Sequence, residues 1–484
     1  SVPASQQQTL SSNYIDFADA DNAGWGQQYL PDLMEKEAEV FGQRTIAGFL
    51  DKVGAEEAMS ADQVVWSEQS RLHISLKGTI AHTTDTNGVF TVTSDIDGNV
   101  LADGFGTNAV GDDHGVRNHD IVLLSTPGVV VRAMVKTAAD NSNVISLMAY
   151  DKVDLSDLAV TVGGCTLLVI GSEFKKGDDY DGSSSRGSNE ASFKTFTNKP
   201  IIMKDFYSVS GSDASRVGWV EVTGESGQNG YMWYLKAEGD TRARFNDYLE
   251  MTMLEAVKGS STNVVDTELN GANDNNVGTQ GLFDAIEKRG NVTSGVTGVN
   301  AATDLAEFDA ILAEFDSQGA IEEYMMFVNR STSLAMDDML ASMNSYGAGG
   351  TSYGVFDNDE DMALNLGFSG FRRGSYDFYK SDFRYLNDKA TRGGINATAG
   401  SAAIRGVMIP AGTSTVYDQS LGKNLKRPFL HVRYRASATD NRKMKTWTTG
   451  SVGAATSALD AMEIHMLSER CLVTQGANNF MLMK

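Results

Sequence analysis

Hydrophobic and polar positions along the chain fall into two kinds of pattern. In "GVVVRAMVK", Val129, Val131, Ala133 and Val135 alternate with Arg132 and Lys136, the two-residue period of a strand with one buried face. The same reading covers Phe90 and Val92, "DIVLLST", "NVISLMAY" and "GGCTLLVIGSEF". Residues 61–171 therefore predict a compact β-rich domain of barrel or sandwich type, with Asn87-Gly88 and Asp97-Gly98 as hairpin turns. By contrast, "YLPDLMEKEAEVFGQRTIAGFLDKV" spaces Leu33, Ala38, Phe41, Ile46 and Phe49 at threes to fives. That spacing predicts a helix within residues 1–60, with Pro31 suited to its first turn.

After the strands comes "EFKKGDDYDGSSSRGSNEASFKTFTNKPIIMKDF" (173–206), charged and rich in Ser and Gly at one end, alternating at the other. So polar a tract has little apolar area to bury by itself and reads as an extended arm. Helical spacing then returns: Phe245, Tyr248, Leu249, Thr252 and Ala256 form one narrow stripe on a long helix that Gly259 is expected to stop. A helix with so thin an apolar stripe lies across another layer. A Gly/Asn-rich loop (260–280) leads to two amphipathic helices, "DLAEFDAILAEFDSQG" and "SLAMDDMLASMNSYG". Strands resume in "SYDFYKSDF", "AIRGVMIPAG", "PFLHVRYRAS" and "ALDAMEIHMLSERCLVTQGANNFMLMK". The whole is of α+β class.

Composition narrows the partners. A chain of 484 residues exceeds a single core and predicts two to four domains. Cys165 and Cys471 are the only cysteines, which points to a reducing compartment. No apolar run is long enough to span a bilayer, and the opening "SVPASQQQTL" lacks the basic and apolar regions of an export signal. Net charge −23 opposes direct binding to duplex DNA. The 49 Gly beside 6 Pro fit a protein of many turns.

Candidate chemistry is sparse. "GDDHGVRNHD" offers Asp112, Asp113, His114, His119 and Asp120, but Gly115 interrupts a five-residue His spacing that does not match a zinc helix, so a solvated loop is expected. "SDIDGNVLADG" alternates Asp95, Asp97 and Asn99, yet its Gly falls at the fourth position and no closing Glu follows, which favours a turn over a calcium loop. "FDNDEDM" has the same ambiguity and the same expected answer. "GFSGF" and "GSSSRG" lack the strand and helix of a nucleophile elbow, and "GAGGTSYG" lacks the Lys of a phosphate loop. His73, His82, His431 and His465 stand alone in strand-like surroundings. No catalytic residue, cofactor or metal is expected.

The order of elements carries more information than any motif. An N-terminal arm, a strand end "LLVIGSEFKKG", a charged arm returning through "FKTFTNKPIIMKDFYSVSG", a long helix and closing strands together resemble the major capsid protein of tailed double-stranded DNA bacteriophages with the HK97-like fold, over residues 172–484. "EKEAEVFGQRTIAGFL" and "SADQVVWSEQSRL" are similar to segments of crAss-like and related phage capsid proteins. The resemblance implies an N-terminal arm (1–60), an additional β-rich domain (61–171), an E-loop (172–222), a P-domain with spine helix (223–295), an A-domain (296–445) and a C-terminal return to the P-domain (446–484). It further implies E-loop contacts between subunits through Lys175, Lys176, Asp178, Asp179, Asp181, Arg186, Phe193 and Phe196, and spine packing through Phe245, Tyr248, Leu249, Thr252 and Ala256. The implied function is non-enzymatic: hexamers and pentamers of an icosahedral head that encloses double-stranded DNA without sequence-specific binding. Portal, scaffolding and decoration proteins would be partners, assembly would occur in the host cytoplasm, and the virion would be its location. An encapsulin-like bacterial shell is the alternative on the same fold. A secreted β-rich hydrolase using Glu463 and Glu469 or the "DDH" loop (112–114), or a surface-layer protein, are alternatives of another class.

Overall fold

The computed structural model describes residues 55–68, 71–82, 87–98, 114–138, 142–150, 155, 158, 164–177, 194–212, 221–223, 229–259, 264–270, 277–319, 323–345, 370–411, 413–418, 423–452 and 455–484. It divides into two compact units, residues 67–195 and the remainder. The helix expected within residues 29–53 lies outside the described residues.

Two strands, β1 (Ala55–Met59) and β2 (Val64–Glu68), precede the smaller unit, which is built from β3 (Ser75–His82), β4 (Asn87–Asp95), β5 (Asp120–Thr126), β6 (Val129–Ala138), β7 (Val144–Ala149) and β8 (Cys165–Ser172). These six close into a barrel in the order β3-β4-β7-β6-β5-β8, every pair antiparallel. Closure removes the sheet edges, and alternation fills the interior. Val131, Ala133 and Val135 of β6 are buried with Phe90, Leu124, Ile145, Leu147 and Leu167, while Arg132 and Lys136 point to solvent. At the bulge between Lys77 and Gly78 the backbone approaches β4 so closely that a Cβ on Gly78 would lie 2.2 Å from the Thr91 carbonyl oxygen.

Both turn expectations need correction. Asn87-Gly88 is not a hairpin tip: it lies inside β4, paired with β3 and β7, and a Cβ on Gly88 would stand 2.2 Å from Leu155 Cδ1, so the glycine serves close packing. Asp97-Gly98 does turn, its Gly98 N–H donating to the Asp95 carbonyl at 3.1 Å, but among the described residues it joins no hairpin, since β4 pairs with β3 and β7 and not with β5.

The larger unit continues with β9 (Lys194–Asn198), β10 (Ile201–Ser210), the ribbon β11 (Glu221–Thr223) and β12 (Asn229–Tyr231), and helices α1 (Met232–Glu255), α2 (Val264–Asn270) and α3 (Leu282–Arg289). Then come β13 (Asn291–Thr293), α4 (Ala301–Gln318), β14 (Glu323–Val328), α5 (Arg330–Ser345), β15 (Gly370–Arg373), β16 (Tyr376–Asp382), α6 (Arg384–Asn387), α7 (Arg392–Asn396) and β17 (Gly406–Pro410). The ribbon β18 (Thr413–Asp418) and β19 (Lys423–Pro428) is followed by β20 (Leu430–Arg435), β21 (Lys445–Gly450), β22 (Ala461–Thr474) and β23 (Met481–Met483).

Two sheets organise this unit. The first runs β1-β20-β22-β10, with β21 also paired to β22; β1 is parallel to β20 and the other pairs are antiparallel. The second runs β13-β23-β17-β14-β16-β15. Its one face packs against α4 and α5 through Phe308, Ile311, Phe315, Met336, Met339 and Leu340, with the Phe315 ring stacked 4.3 Å from that of Tyr324. On the other face Phe327, Val407, Ile409 and Leu482 share one core with Leu430, Val432 and Leu472 of the first sheet, with Met253 and Leu254 of α1, and with Leu282, Phe283 and Ile286 of α3. Each such side chain contributes roughly 1.5–3 kcal/mol on leaving water, so this shared core binds the two sheets into one body. The chain's last strands serve both sheets, β22 the first and β23 the second.

Candidate functional site

The site is built on β10 and β22. Alternation in "IIMKDFYSVS" sends Met203 toward α1, where Phe245 and Leu249 bury against it and against Met466 of β22. The intervening residues Ile202, Lys204, Phe206 and Ser208 face the opposite way and are exposed. On that open face Phe206 stands opposite His465, and His465 opposite Trp447 of β21. Their rings stack at 6.0 and 5.2 Å, a row of three aromatics across three strands. His465 Nε2 lies 2.7 Å from Thr449 Oγ1 and 3.3 Å from Glu463 Oε2, which orients the ring. Phe206 is 59% exposed and Trp447 36%. The sheet therefore has one face covered by a helix and one face presenting aromatic surface to water.

A charged band continues on the same sheet. Glu469 is buried between Arg435 Nε at 2.9 Å and Arg442 Nε at 2.6 Å, and Arg433 pairs with Glu57 at 2.8 Å. Cys471 lies directly opposite Arg433 in the ladder. Burial pushes its thiol up to about 12, against the opposing pull of Arg433 and Lys258.

The α1 stripe differs from its expected membership. Phe245 and Leu249 are buried and Thr252 half-buried, but Tyr248 is 43% exposed and belongs to no buried core among the described residues. Met253 and Leu254 take its place, because the helix ends in a core that surrounds more than one of its faces. Ala256 lies past the helix, which stops at Glu255 and not at Gly259. The reason is tertiary: Tyr385 Oη and Arg392 Nη1 hold the Glu255 carboxylate at 2.9 and 2.7 Å, and Gly281 N–H captures the Ala256 carbonyl at 2.7 Å.

Of the arm residues, Asp178, Asp179, Asp181, Arg186 and Phe193 lie outside the described residues. Lys175 and Lys176 are exposed beyond β8. Phe196, on β9, is half-buried within its own chain: its ring lies 6.2 Å from Trp66, and the Arg289 guanidinium sits 4.5 Å above it. Two residues later, Asn198 is fully buried and forms a hub. Its Nδ2 donates to the carbonyls of Leu472 (2.6 Å) and Gln280 (3.0 Å), and its Oδ1 accepts from Gln280 N–H (2.9 Å) and Thr279 Oγ1 (3.2 Å). Sequence reasoning missed Trp66, Asn198, Phe206, Arg289 and Trp447. Alternation in β10 does mark Phe206, but nothing along the chain says which strand face goes uncovered.

The "GDDHGVRNHD" stretch is not a solvated loop in its described part. His114 is 4% exposed, its Nδ1 accepting from Val116 N–H at 3.0 Å and its Nε2 lying 3.1 Å from the Ser142 carbonyl. Asp120 is buried and accepts from Arg117 N–H at 2.9 Å, while His119 stacks on Phe174 at 5.0 Å. Both ring nitrogens of His114, and Nδ1 of His119 at 3.2 Å from the Glu173 carbonyl, therefore face backbone partners. No cluster of metal-binding side chains occurs among the described residues. The acids that a hydrolase would need are also apart. Glu463 and Glu469 are six positions apart on one strand, about 20 Å at strand rise, beyond the separation of a working carboxylate pair.

No family model matches this chain, and no curated protein matches it. Solved structures similar to it include phage capsids. A structure from Microbacterium phage Oxtober96 is 9% identical with a TM-score of 0.37, covering 94% of this chain and 96% of its own. The capsid structure of the cyanophage P-SCSP1u is 7% identical with a TM-score of 0.37, covering 98% of each chain. The mature capsid of bacteriophage PhiM1 is 10% identical with a TM-score of 0.31, covering 65% of this chain and 78% of its own. Scores this low do not carry the fold of those structures over to this chain.

Proposed function

We propose that the chain is a structural shell protein, a major capsid protein of HK97-like architecture that assembles into hexamers and pentamers of an icosahedral phage head around double-stranded DNA. In this reading α1 is the spine helix across a P-domain sheet, residues 172–222 are the E-loop, residues 296–445 the A-domain, and residues 446–484 the return to the P-domain. Residues 1–60 are an N-terminal arm, and the barrel is a further domain in the same subunit. Portal, scaffolding and decoration or head-auxiliary proteins are its partners. It assembles in the host cytoplasm and resides in the virion.

The observation that carries the reading is the two-faced first sheet. Phe245 and Leu249 of α1 cover one side, and the other keeps Ile202, Phe206 and Trp447 in water. An apolar row held open by a lone chain is unfavourable and becomes favourable when another chain covers it. The order of elements around it, an arm returning into β10, then the long helix, a helix-flanked sheet and closing strands, supports the same reading. The mechanism is assembly with no substrate turnover: many weak repeated contacts sum to a stable shell because each subunit is held at several places at once.

Negative-stain electron microscopy of the purified chain tests the reading. Hollow shells, capsomer rings or tubes are expected. A chain that remains monomeric at high concentration, across a range of salt and pH, overturns it.

A further inference from the structure

His465 of β22 stands at the centre of the open aromatic row, and its Nε2 belongs to a triangle of polar atoms. Thr449 Oγ1 lies 2.7 Å from it and Glu463 Oε2 3.3 Å, with 3.3 Å between the two oxygens. The ladder sets this geometry. Glu463 and His465 are two residues apart on one strand and share a face, and Thr449 of β21 is directly opposite Glu463. Phe206 and Trp447 flank the imidazole with apolar rings. Other charges near this sheet are placed elsewhere. Lys204 of β10 and Lys445 of β21 both stand opposite Leu467, two residues along from His465, and Lys445 Nζ is 2.9 Å from Asp440. Glu469 sits between Arg435 and Arg442, Asp205 alternates to the opposite side of the sheet, and α1 meets that side through Phe245 and Leu249. Among the described residues, the charged side chain that touches the imidazole is Glu463.

We infer that the open face of the first sheet is a proton-linked contact: when a second copy of the chain covers it, His465 takes up a proton and pairs with Glu463. This rests on the reading that another chain covers the face. A second copy suits it by charge, because Lys204 and Lys445 border the aromatic row and a chain of net charge −23 offers them acidic surface. Covering removes water from the triangle. With the imidazole neutral, the site keeps the negative charge of Glu463, and the one proton of the Thr449 hydroxyl serves a single neighbour. A carboxylate taken out of water without a cation is costly. With the imidazole protonated, the site is neutral as a whole and the pair becomes a charge-assisted hydrogen bond. In the uncovered chain water solvates Glu463 in either state, so the difference appears on association. Histidine is the side chain that changes charge between about pH 5 and 8. Association therefore strengthens as pH falls through that range.

Light scattering of the full-length chain from about pH 8 to about pH 6 at fixed ionic strength, with association calorimetry in two buffers of different ionisation enthalpy, tests it. The readout is the difference from His465→Gln, which retains the general repulsion of an acidic chain and lacks the imidazole. Uptake of about one extra proton per covered face is expected, with an association constant that rises by up to about tenfold more per pH unit. Glu463→Gln should strengthen association near pH 8 and give a slope shallower than that of His465→Gln, because an imidazolium is then the uncompensated charge. A Glu463 with a merely structural role would instead weaken association at every pH. Phe206→Ala should weaken association by the same factor throughout the range. The inference is overturned, with the shell reading intact, if the parent associates with the slope of His465→Gln, if Glu463→Gln keeps the parent's slope, or if Phe206→Ala associates like the parent. A chain that associates at no pH ends both.

Discussion

Asn198 Nδ2 donates to the Leu472 carbonyl at 2.6 Å, joining the strand end that precedes β10 to β22 across 274 positions of sequence. The same side chain satisfies Gln280 and Thr279, so one buried amide ties three segments of the larger unit together. Asn198→Ala leaves at least the Leu472 and Gln280 carbonyls without this donor, and each unpaired buried group costs about 1–3 kcal/mol. A marked fall in the urea midpoint of the unassembled chain is expected. A midpoint within error of the parent would show that water or other groups replace the amide.

Leu249 and Tyr248 are neighbours with opposite fates, one buried against Met203 and Met466, the other exposed. Leu249→Asp should give insoluble or unassembled protein, because a carboxylate would enter a core without a partner. Tyr248→Ala should alter stability by no more than about 0.5 kcal/mol. Expression in the soluble fraction and thermal melts separate the two outcomes.

Lys380 of β16 and Asp337 of α5 form a buried pair, their side chains 6% and 9% exposed. Lys380→Met should cost about 3–5 kcal/mol by leaving the buried Asp337 carboxylate without its cation. The double variant Lys380→Met with Asp337→Leu should recover much of that loss. A double variant as unstable as the single one would mean that the pair's neighbours, and not its charges, set the cost.

Both cysteines are buried, and burial raises both thiols, Cys165 to about 11 and Cys471 to about 12. A raised thiol contributes stability that is complete below its ordinary value of 9.0 and is lost as pH rises toward the folded value. The native chain should therefore lose stability through the pH range from 9 toward 12. At pH near 8 a thiol reagent should label neither cysteine in the native chain and both in denaturant; fast labelling of the native protein would contradict the burial.

Lys175 and Lys176 are exposed at the start of the arm. Changing both to Glu should leave each chain's melting temperature nearly unchanged while weakening assembly, with partial rescue by salt where charge repulsion is the cause. Sedimentation at several salt concentrations checks this. Deleting residues 176–192 is the stronger version: folded but unassembled protein is expected, and normal closed shells would end the proposal that the arm grips a neighbour.

Local pattern by itself determined much of this protein. The period of two in "GVVVRAMVK" placed β6 with Val131, Ala133 and Val135 inward, and "DIVLLST" was legible as a strand, β5, whose inward face the barrel then chose. Asn300 and Gly319 bound α4 through bonds to nearby residues, Asn300 Oδ1 accepting from Ala302 N–H at 2.9 Å and Gly319 N–H returning to Phe315 at 3.0 Å. Tertiary structure decided the rest, for reasons that local pattern does not contain. Asn87-Gly88 has the composition of a hairpin turn, yet the approach of Leu155 makes it a strand. Gly259 has the form of a helix stop, yet Glu255 is held from outside by Tyr385 and Arg392, which belong to a segment more than a hundred residues later. His114 reads in the sequence as part of a solvated loop, yet it is buried, with its Nδ1 accepting from Val116 N–H. The aromatic row depends on a register that sets Phe206, His465 and Trp447 opposite one another. Contacts over such separations follow from how the layers pack, and packing is a property of the whole fold.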